Sequence, residues 1–133
     1  MREIKFRAWH TEQKKMYSAE EMAEDQLTLL PTGKFINVHG NSKLSRIYDF
    51  MIPLQFIGKH DKNGKEIYEG DVIRLGDDTY DLYRNPGDIS LVEWDDTETG
   101  FTPFCNAHSD YDSINPDTCE IIGNVHENPE LVS

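Results

Sequence analysis

Turn signals interrupt every apolar stretch of this chain within a few residues, and that spacing rules out most architectures. Phe35-Ile36-Asn37-Val38, Ile47-Tyr48-Asp49-Phe50-Met51-Ile52 and Leu54-Gln55-Phe56-Ile57 are short and rich in β-branched or aromatic side chains. Ile67-Tyr68, Gly70–Leu75, Ser90–Trp94 and Cys119–Val125 continue the series. Loops rich in Asp, Thr, Gly and Pro fall between them, at about 76–88, 95–103 and 106–117. Short strands at this punctuation predict a small barrel or a curled antiparallel sheet. The strongest single turn signal is Asn63-Gly64, a pair that tolerates positive φ at both positions and so predicts a type I′ hairpin turn.

The front of the chain reads differently. Ile4, Phe6 and Ala8 alternate with Lys5, Arg7 and Trp9, which predicts a strand with one buried face. A polar turn at Thr11–Lys15 precedes Met16-Tyr17, where strand pairing resumes. Ser18 and Glu21 have capping-box spacing, each side chain reaching the other's free backbone N–H. Behind them Ala19, Met22, Ala23, Gln26, Leu27 and Leu30 share one helical face, opposite Glu20, Glu21, Glu24 and Asp25. This is the only helix predicted, and Pro31-Thr32-Gly33 limits it. The chain of 133 residues has room for one compact unit, subdivided into a strand–helix–strand front (1–52) and a β-rich back (53–133) with no Gly/Ser-rich linker between.

Charge excludes several functions. Residues 1–75 hold 12 basic and 11 acidic side chains, whereas residues 76–133 hold only Arg84 against 14 acids. Phosphate binding needs basic surface to release counterions, and an anionic membrane would repel the back half. The start, MREIKFRAWH, lacks the apolar run of a signal peptide, and no stretch approaches the roughly 18–20 apolar residues of a membrane span. Two cysteines are too few for a disulfide framework. The expectation is a cytoplasmic protein with reduced thiols.

Candidate chemistry is sparse. Asp61, Asn63 and Gly64 superficially resemble a calcium loop, but Gly64 stands at the fourth place and Val72 at the twelfth, where an EF-hand needs Gly at the sixth and Glu at the twelfth. Cys105, His108, Cys119 and His126 have the ligand types of a zinc site without the tight second pair, and a buried core cysteine with incidental histidines is the plainer reading. Asp77-Asp78, Asp95-Asp96 with Glu98, and Asp110 with Asp112 offer oxygen ligands for Mg²⁺ or Ca²⁺, against the ordinary reading of solvated loops. His60-Asp61 is a metal-phosphohydrolase pair only by adjacency. No nucleophile elbow, zinc-protease helix, Walker loop or dinucleotide fingerprint is present in the sequence. Trp9, Tyr17, Tyr48, Tyr68, Tyr80, Tyr83 and Trp94 could form a binding face, though most aromatics in a chain of this size belong to its core.

Four segments together carry a resemblance: EIKFRAWH at 3–10 with Lys15-Met16, QFIG at 55–58, DKNGKEIYEGDVI at 61–73, and IIGNVHENPEL at 121–131. In this order they resemble the YopX family of small bacteriophage and prophage proteins; segment 32–53 and the loops at 76–117 lie outside the match. His10 stands where Asp is more usual, and Lys59-His60 replaces Leu-Lys. The resemblance implies a mainly β fold with an SH3-like pseudo-barrel in the C-terminal part, and assembly into homo-oligomers. It implies no catalytic residues, cofactor or metal. Within DKNGKEIYEGD, Gly70 is expected to let the backbone bend and Asp71 to bond neighbouring amides, a scaffolding role preferred to ligand binding by Glu69 or Asp71. The functional expectation is a non-enzymatic accessory protein working by self-assembly or contact with a host or phage protein. Two alternatives stand beside it: an acidic DNA mimic that blocks a host nucleic-acid-binding protein, and weak nucleic-acid binding through Arg2, Lys5, Arg7, Lys14 and Lys15.

Overall fold

The computed structural model describes residues 3–37, 46–48, 50–105 and 114–132. The chain is mainly β with one short α-helix, as the punctuation predicts. It divides into two compact units: a front unit in chain order, Ile4–Gln55, and a back unit, Phe56–Ser133 with Met1–Glu3. No helix among the described residues is long and apolar enough to cross a membrane.

In the front unit, β1 (Phe6–His10) pairs antiparallel with β2 (Lys15–Tyr17) on one side and with the first half of β6 (Met51–His60) on the other. Ala8 and Trp9 point to opposite faces of β1 and both are buried, so the end of the strand is covered on both faces. Ala8, Trp9 and His10 are all buried, so the one-sided alternation expected from sequence fails there, and Ile4 at the other end is exposed. Helix α1 (Ala19–Glu24) begins with the expected capping box: Ser18 Oγ accepts from Glu21 N–H at 3.1 Å, and Glu21 Oε1 accepts from Ser18 N–H at 3.2 Å.

The helix is shorter than its apolar face suggests. Gln26 takes a left-handed backbone, φ 58°, which ends helical geometry. Leu27–Leu29 then form β3, which pairs across the Pro31–Gly33 turn with β4 (Phe35–Asn37). The turn that was to limit the helix instead recruits its last apolar residues into a hairpin. β4 also pairs with β5 (Arg46–Tyr48); the expected strand at 47–52 is therefore divided between β5 and β6. Ala8, Met22, Phe35 and Met51 form this unit's core.

In the back unit the second half of β6 pairs with β7 (Glu66–Tyr68). The intervening turn corrects one expectation. Only Gly64 of the Asn-Gly pair has positive φ, 80°, so the turn is not type I′. Gly64 N–H donates to Asp61 O at 3.0 Å and Asp61 N–H to Lys65 O at 2.8 Å, the pattern of a longer loop closed by a left-handed glycine. Asp61 decides that choice. Its Oδ1 accepts from Asn63 N–H and Lys65 N–H, each at 2.9 Å, and its Oδ2 accepts from Ile121 N–H at 3.0 Å. The side chain thus holds the loop and clamps it to the strand sixty positions later.

Strand β8 (Asp71–Arg74) lies between β12 (Glu120–Asn124) and β9 (Ile89–Leu91). The Glu69–Asp71 corner bends at Gly70 as expected, and it also joins these ladders. With φ 92°, Gly70 turns the chain so that its N–H reaches Val92 O (2.7 Å) and its carbonyl accepts from Val125 N–H (2.8 Å). The buried Asp71 carboxylate accepts from Tyr68 N–H at 2.7 Å. The segment Ser90–Trp94 is broken at Val92 into β9 and β10 (Glu93–Asp95), and β10 pairs with an unforeseen β11 (Gly100–Thr102) inside the predicted 95–103 loop. Ile67, Ile73, Leu75, Val92 and Cys119 form one apolar core packed by Ile57, Phe101 and Ile121. Burying each Ile or Val contributes roughly 1.5–3 kcal/mol relative to exposure. The C-terminal part thereby has the strands-around-one-core organisation of the expected SH3-like pseudo-barrel.

Burial raises the Asp61 pKa, but the three backbone N–H donors outweigh it and hold the carboxyl below its ordinary value. A depressed folded-state pKa adds stability above the unfolded pKa, about 4, and that contribution disappears as pH falls through the folded value. Asp61→Ala should cost about 2–4 kcal/mol in urea unfolding at pH 7. Asp61→Asn should cost less, since one oxygen remains for the loop, and should flatten the acid side of the stability–pH curve. Equal stability of Asp61→Ala and wild type would refute the clamp.

Candidate functional site

The acidic half of the chain gathers its distinctive surface on the loop between β8 and β9. Gly76 starts the loop pressed against a 3-10 turn, Pro116–Thr118. A Cβ at Gly76 would stand 2.4 Å from Thr118 Oγ1 and 2.6 Å from Thr118 O, so only glycine permits this approach. Asp78 completes the anchor: its Oδ1 accepts from Thr118 Oγ1 at 2.6 Å and its Oδ2 from Asn115 Nδ2 at 2.8 Å. Those two donors, Thr118 foremost, lower the Asp78 pKa. The base closes through Leu75 N–H to Asp88 O (2.8 Å) and Gly87 N–H to Leu75 O (2.9 Å).

Other carboxylates of this half serve their own loops. Asp81 Oδ2 accepts from Tyr83 N–H at 3.0 Å and lies 3.7 Å from the Arg84 guanidinium. Asp88 accepts from Asn85 N–H at 2.9 Å. Asp95 Oδ1 takes Thr97 N–H (2.8 Å) and Glu98 N–H (3.1 Å), and Asp96 takes Trp94 Nε1–H (2.8 Å). The bonds that Asp81, Asp88 and Asp95 accept from backbone N–H groups are side-chain-to-backbone turns that Asp forms readily. A cleft of about 460 Å³ beside Gly76 mixes Lys62 and Arg74 with Asp77, Asp117 and Glu120. Its Lys62 Nζ already pairs with Glu120 at 3.0 Å.

At the tip of the anchored loop, Tyr80, Leu82 and Tyr83 are 65, 69 and 72 % exposed. Ile89 and Trp94 are also exposed, Trp94 resting edge-on against Phe101 with centroids 5.2 Å apart. The aromatic candidates therefore separate. Trp9 and Tyr68 are buried and Tyr17 is half-buried, while Tyr80, Tyr83 and Trp94 face outward; the Tyr48 side chain lies outside the described residues. Leu82 was not legible as part of this surface, because a single leucine between acids carries no periodic signal.

Among the described residues the metal candidates do not converge. Among the described residues, no three His, Cys, Asp or Glu side chains gather as a metal-holding group. Cys119 is buried in the core, its thiol donating to Asn115 O at 3.2 Å, and Cys105 is half-buried; neither is in a disulfide. Burial raises both thiol pKa values and disfavours the reactive thiolate. His126 sits in the turn after β12, where Asn124 Oδ1 accepts its backbone N–H at 3.1 Å. His108, Asp110 and Asp112 lie outside the described residues. His60 is exposed against the Phe56 ring, 5.6 Å between centroids, whereas the adjacent Asp61 is only 4 % exposed and engaged by three amides. The two do not act as a pair. In the basic front segment, Lys5 pairs with Glu20 at 3.0 Å and Lys15 with Glu21 at 3.1 Å.

Comparison with known proteins agrees with this architecture. A crystal structure of protein EF1440 from Enterococcus faecalis superposes with a TM-score of 0.61 at 25 % identity, over 100 % of both chains. The crystal structure of protein yopX from Bacillus subtilis gives a TM-score of 0.57 at 19 % identity, again over 100 % of both chains, and supports the fold. No curated protein matches the chain. The family profile described as YopX protein matches residues 5–133, so the chain belongs to the YopX family.

Proposed function

We propose that this protein is a phage- or prophage-encoded accessory protein of the cytoplasm that acts without catalysis, by contact with other proteins, including copies of itself. The observation that carries this reading is the exposure of Tyr80, Leu82 and Tyr83 at the tip of a loop whose base is pinned by Gly76, Asp78 and Thr118. Large apolar side chains on a fixed, solvent-facing loop are the kind of surface that partners bury, and tyrosine is enriched among energetically dominant contact residues. The surrounding carboxylates favour a basic partner and speed its approach. Supporting a protein rather than a nucleic-acid partner, Lys5 and Lys15 of the front segment are already ion-paired. A phosphate-mimicking role finds less support, since Asp78, Asp88 and Asp95 are turned to groups of their own half.

Light scattering after size exclusion at tens of micromolar should give a multiple of the 15.4 kDa chain mass; a strict monomer counts against self-assembly. Tyr80→Ala with Tyr83→Ala should reduce assembly, or capture of a partner from lysogenic cells, about tenfold or more while leaving the melting temperature unchanged. Unchanged assembly and capture in that double variant would sink the loop-contact reading. Gly76→Ala should destabilise by roughly 1–3 kcal/mol, because its Cβ must displace Thr118, and should weaken the same contact.

A further inference from the structure

The sheet of β12, β8 and β9 ends on β9, whose outer edge pairs with no other strand among the described residues. Hydrogen bonds fix which backbone groups that edge presents. Asp88 O accepts from Leu75 N–H (2.8 Å), Val92 O accepts from Gly70 N–H (2.7 Å), and Val92 N–H donates to Asp71 O (2.8 Å). The even positions therefore face β8. Antiparallel pairing alternates direction along a strand, which turns the backbone groups of Ile89 and Leu91 to the open side. Leu91 O agrees with this phase: it accepts at 3.2 Å from Thr102 Oγ1, on a strand of another sheet. Ile89 N–H, Ile89 O and Leu91 N–H then have no hydrogen-bond partner among the described residues.

This edge borders a cleft of about 680 Å³. Part of the lining is apolar, with Ile89 and Val132 42 and 41 % exposed beside half-buried Leu91 and Leu131. Its charge is negative. Glu93 and Asp95 line the cleft, and among the described residues neither forms an ion pair, whereas the cation of the lining, Arg84, lies 3.7 Å from the Asp81 carboxylate. Tyr80, Leu82 and Tyr83 do not line the cleft, so it is a surface apart from the loop tip. Free N–H and C=O groups on a sheet edge accept an added strand, whose alternate side chains settle on the apolar surface beside it. Carboxylates without a cation favour a basic strand over an acidic one. A second copy of this chain would bring the same two carboxylates against them.

We infer that the β9 edge is a docking site for an extended, basic segment of another protein, which adds a strand through the backbone of Ile89 and Leu91. Titrating the ¹⁵N-labelled full chain with acetyl-Lys-Val-Lys-Val-Lys-Val-amide tests this. Binding should saturate and should slow amide exchange at Ile89 and Leu91. Replacing every Lys of the peptide by Glu should weaken it about tenfold or more. Methylating every peptide nitrogen keeps the charges and side chains but leaves no N–H for Ile89 O, and should also cost about tenfold. Ile89→Pro removes an outward N–H without touching the β8 ladder and should weaken the unmodified peptide to the same extent. Glu93→Lys, at an exposed position, should weaken it about fivefold with an unchanged melting temperature, and decides the matter if the proline variant fails to fold. Equal binding of the Lys and Glu peptides, equal binding of the N-methylated peptide, or shifts confined to other regions would overturn the inference. So would exchange at Ile89 and Leu91 that slows with rising protein concentration in the absence of peptide, which would give the edge to a second copy.

Discussion

One buried carboxylate organises the back unit. Asp61 receives three backbone N–H groups, two from its own loop and one from Ile121. The bond to Ile121 is reinforced next door, where Lys62 N–H donates to Cys119 O at 2.8 Å. Register between the β6–β7 hairpin and β12 follows from these contacts, and β12 in turn sets β8 through Glu120↔Arg74 and Ile121↔Ile73. A charged acceptor gives stronger bonds to amides than a neutral one, which is why an acid can stay ionised at a position so little exposed. The Gly70-Asp71 corner repeats the device on a smaller scale, with one carboxylate and one left-handed glycine directing three strands.

Local signals were readable and distant ones were not. The Ser18–Glu21 capping box, the hairpin after β6 and the Gly70 bend each depend on residues within a few positions of one another, and the structure contains all three. The type of the hairpin turn depended on Asp61, whose second partner is sixty positions away; propensity for Asn-Gly alone favoured another geometry. Helix α1 lost its predicted last turn to a competing hairpin, because Leu27–Leu29 fit a strand edge as well as a helical face. Strand β11 escaped notice since Gly100-Phe101-Thr102 has one large side chain and no room for alternation. At the candidate site, the exposed aromatics were visible as residue types, but their separation into core and surface required the fold. The pairing of Asp78 with Asn115 and Thr118 left no trace in spacing.

The acidity of the back half also acquires a mechanical meaning. A surplus of carboxylates on loops reads from composition as solubility or as a charged docking surface. In the folded chain Asp78, Asp81, Asp88 and Asp95 accept hydrogen bonds that fix loop backbone or join two loops. The net charge is partly the residue of this choice of side chain. Short aspartates shape turns better than longer or neutral groups, and a net charge of −12 on the whole chain is what accumulates.

The closure at Leu75, Gly87 and Asp88 separates the shape of the β8–β9 loop's base from the identity of its tip. A loop clamped at its neck can accept substitution, lengthening or shortening at the far end at small entropic cost, since the cost rises only with the logarithm of loop length. The neck gives this protein an exchangeable segment: the exposed side chains at 80, 82 and 83 can change while the strands beneath keep their register.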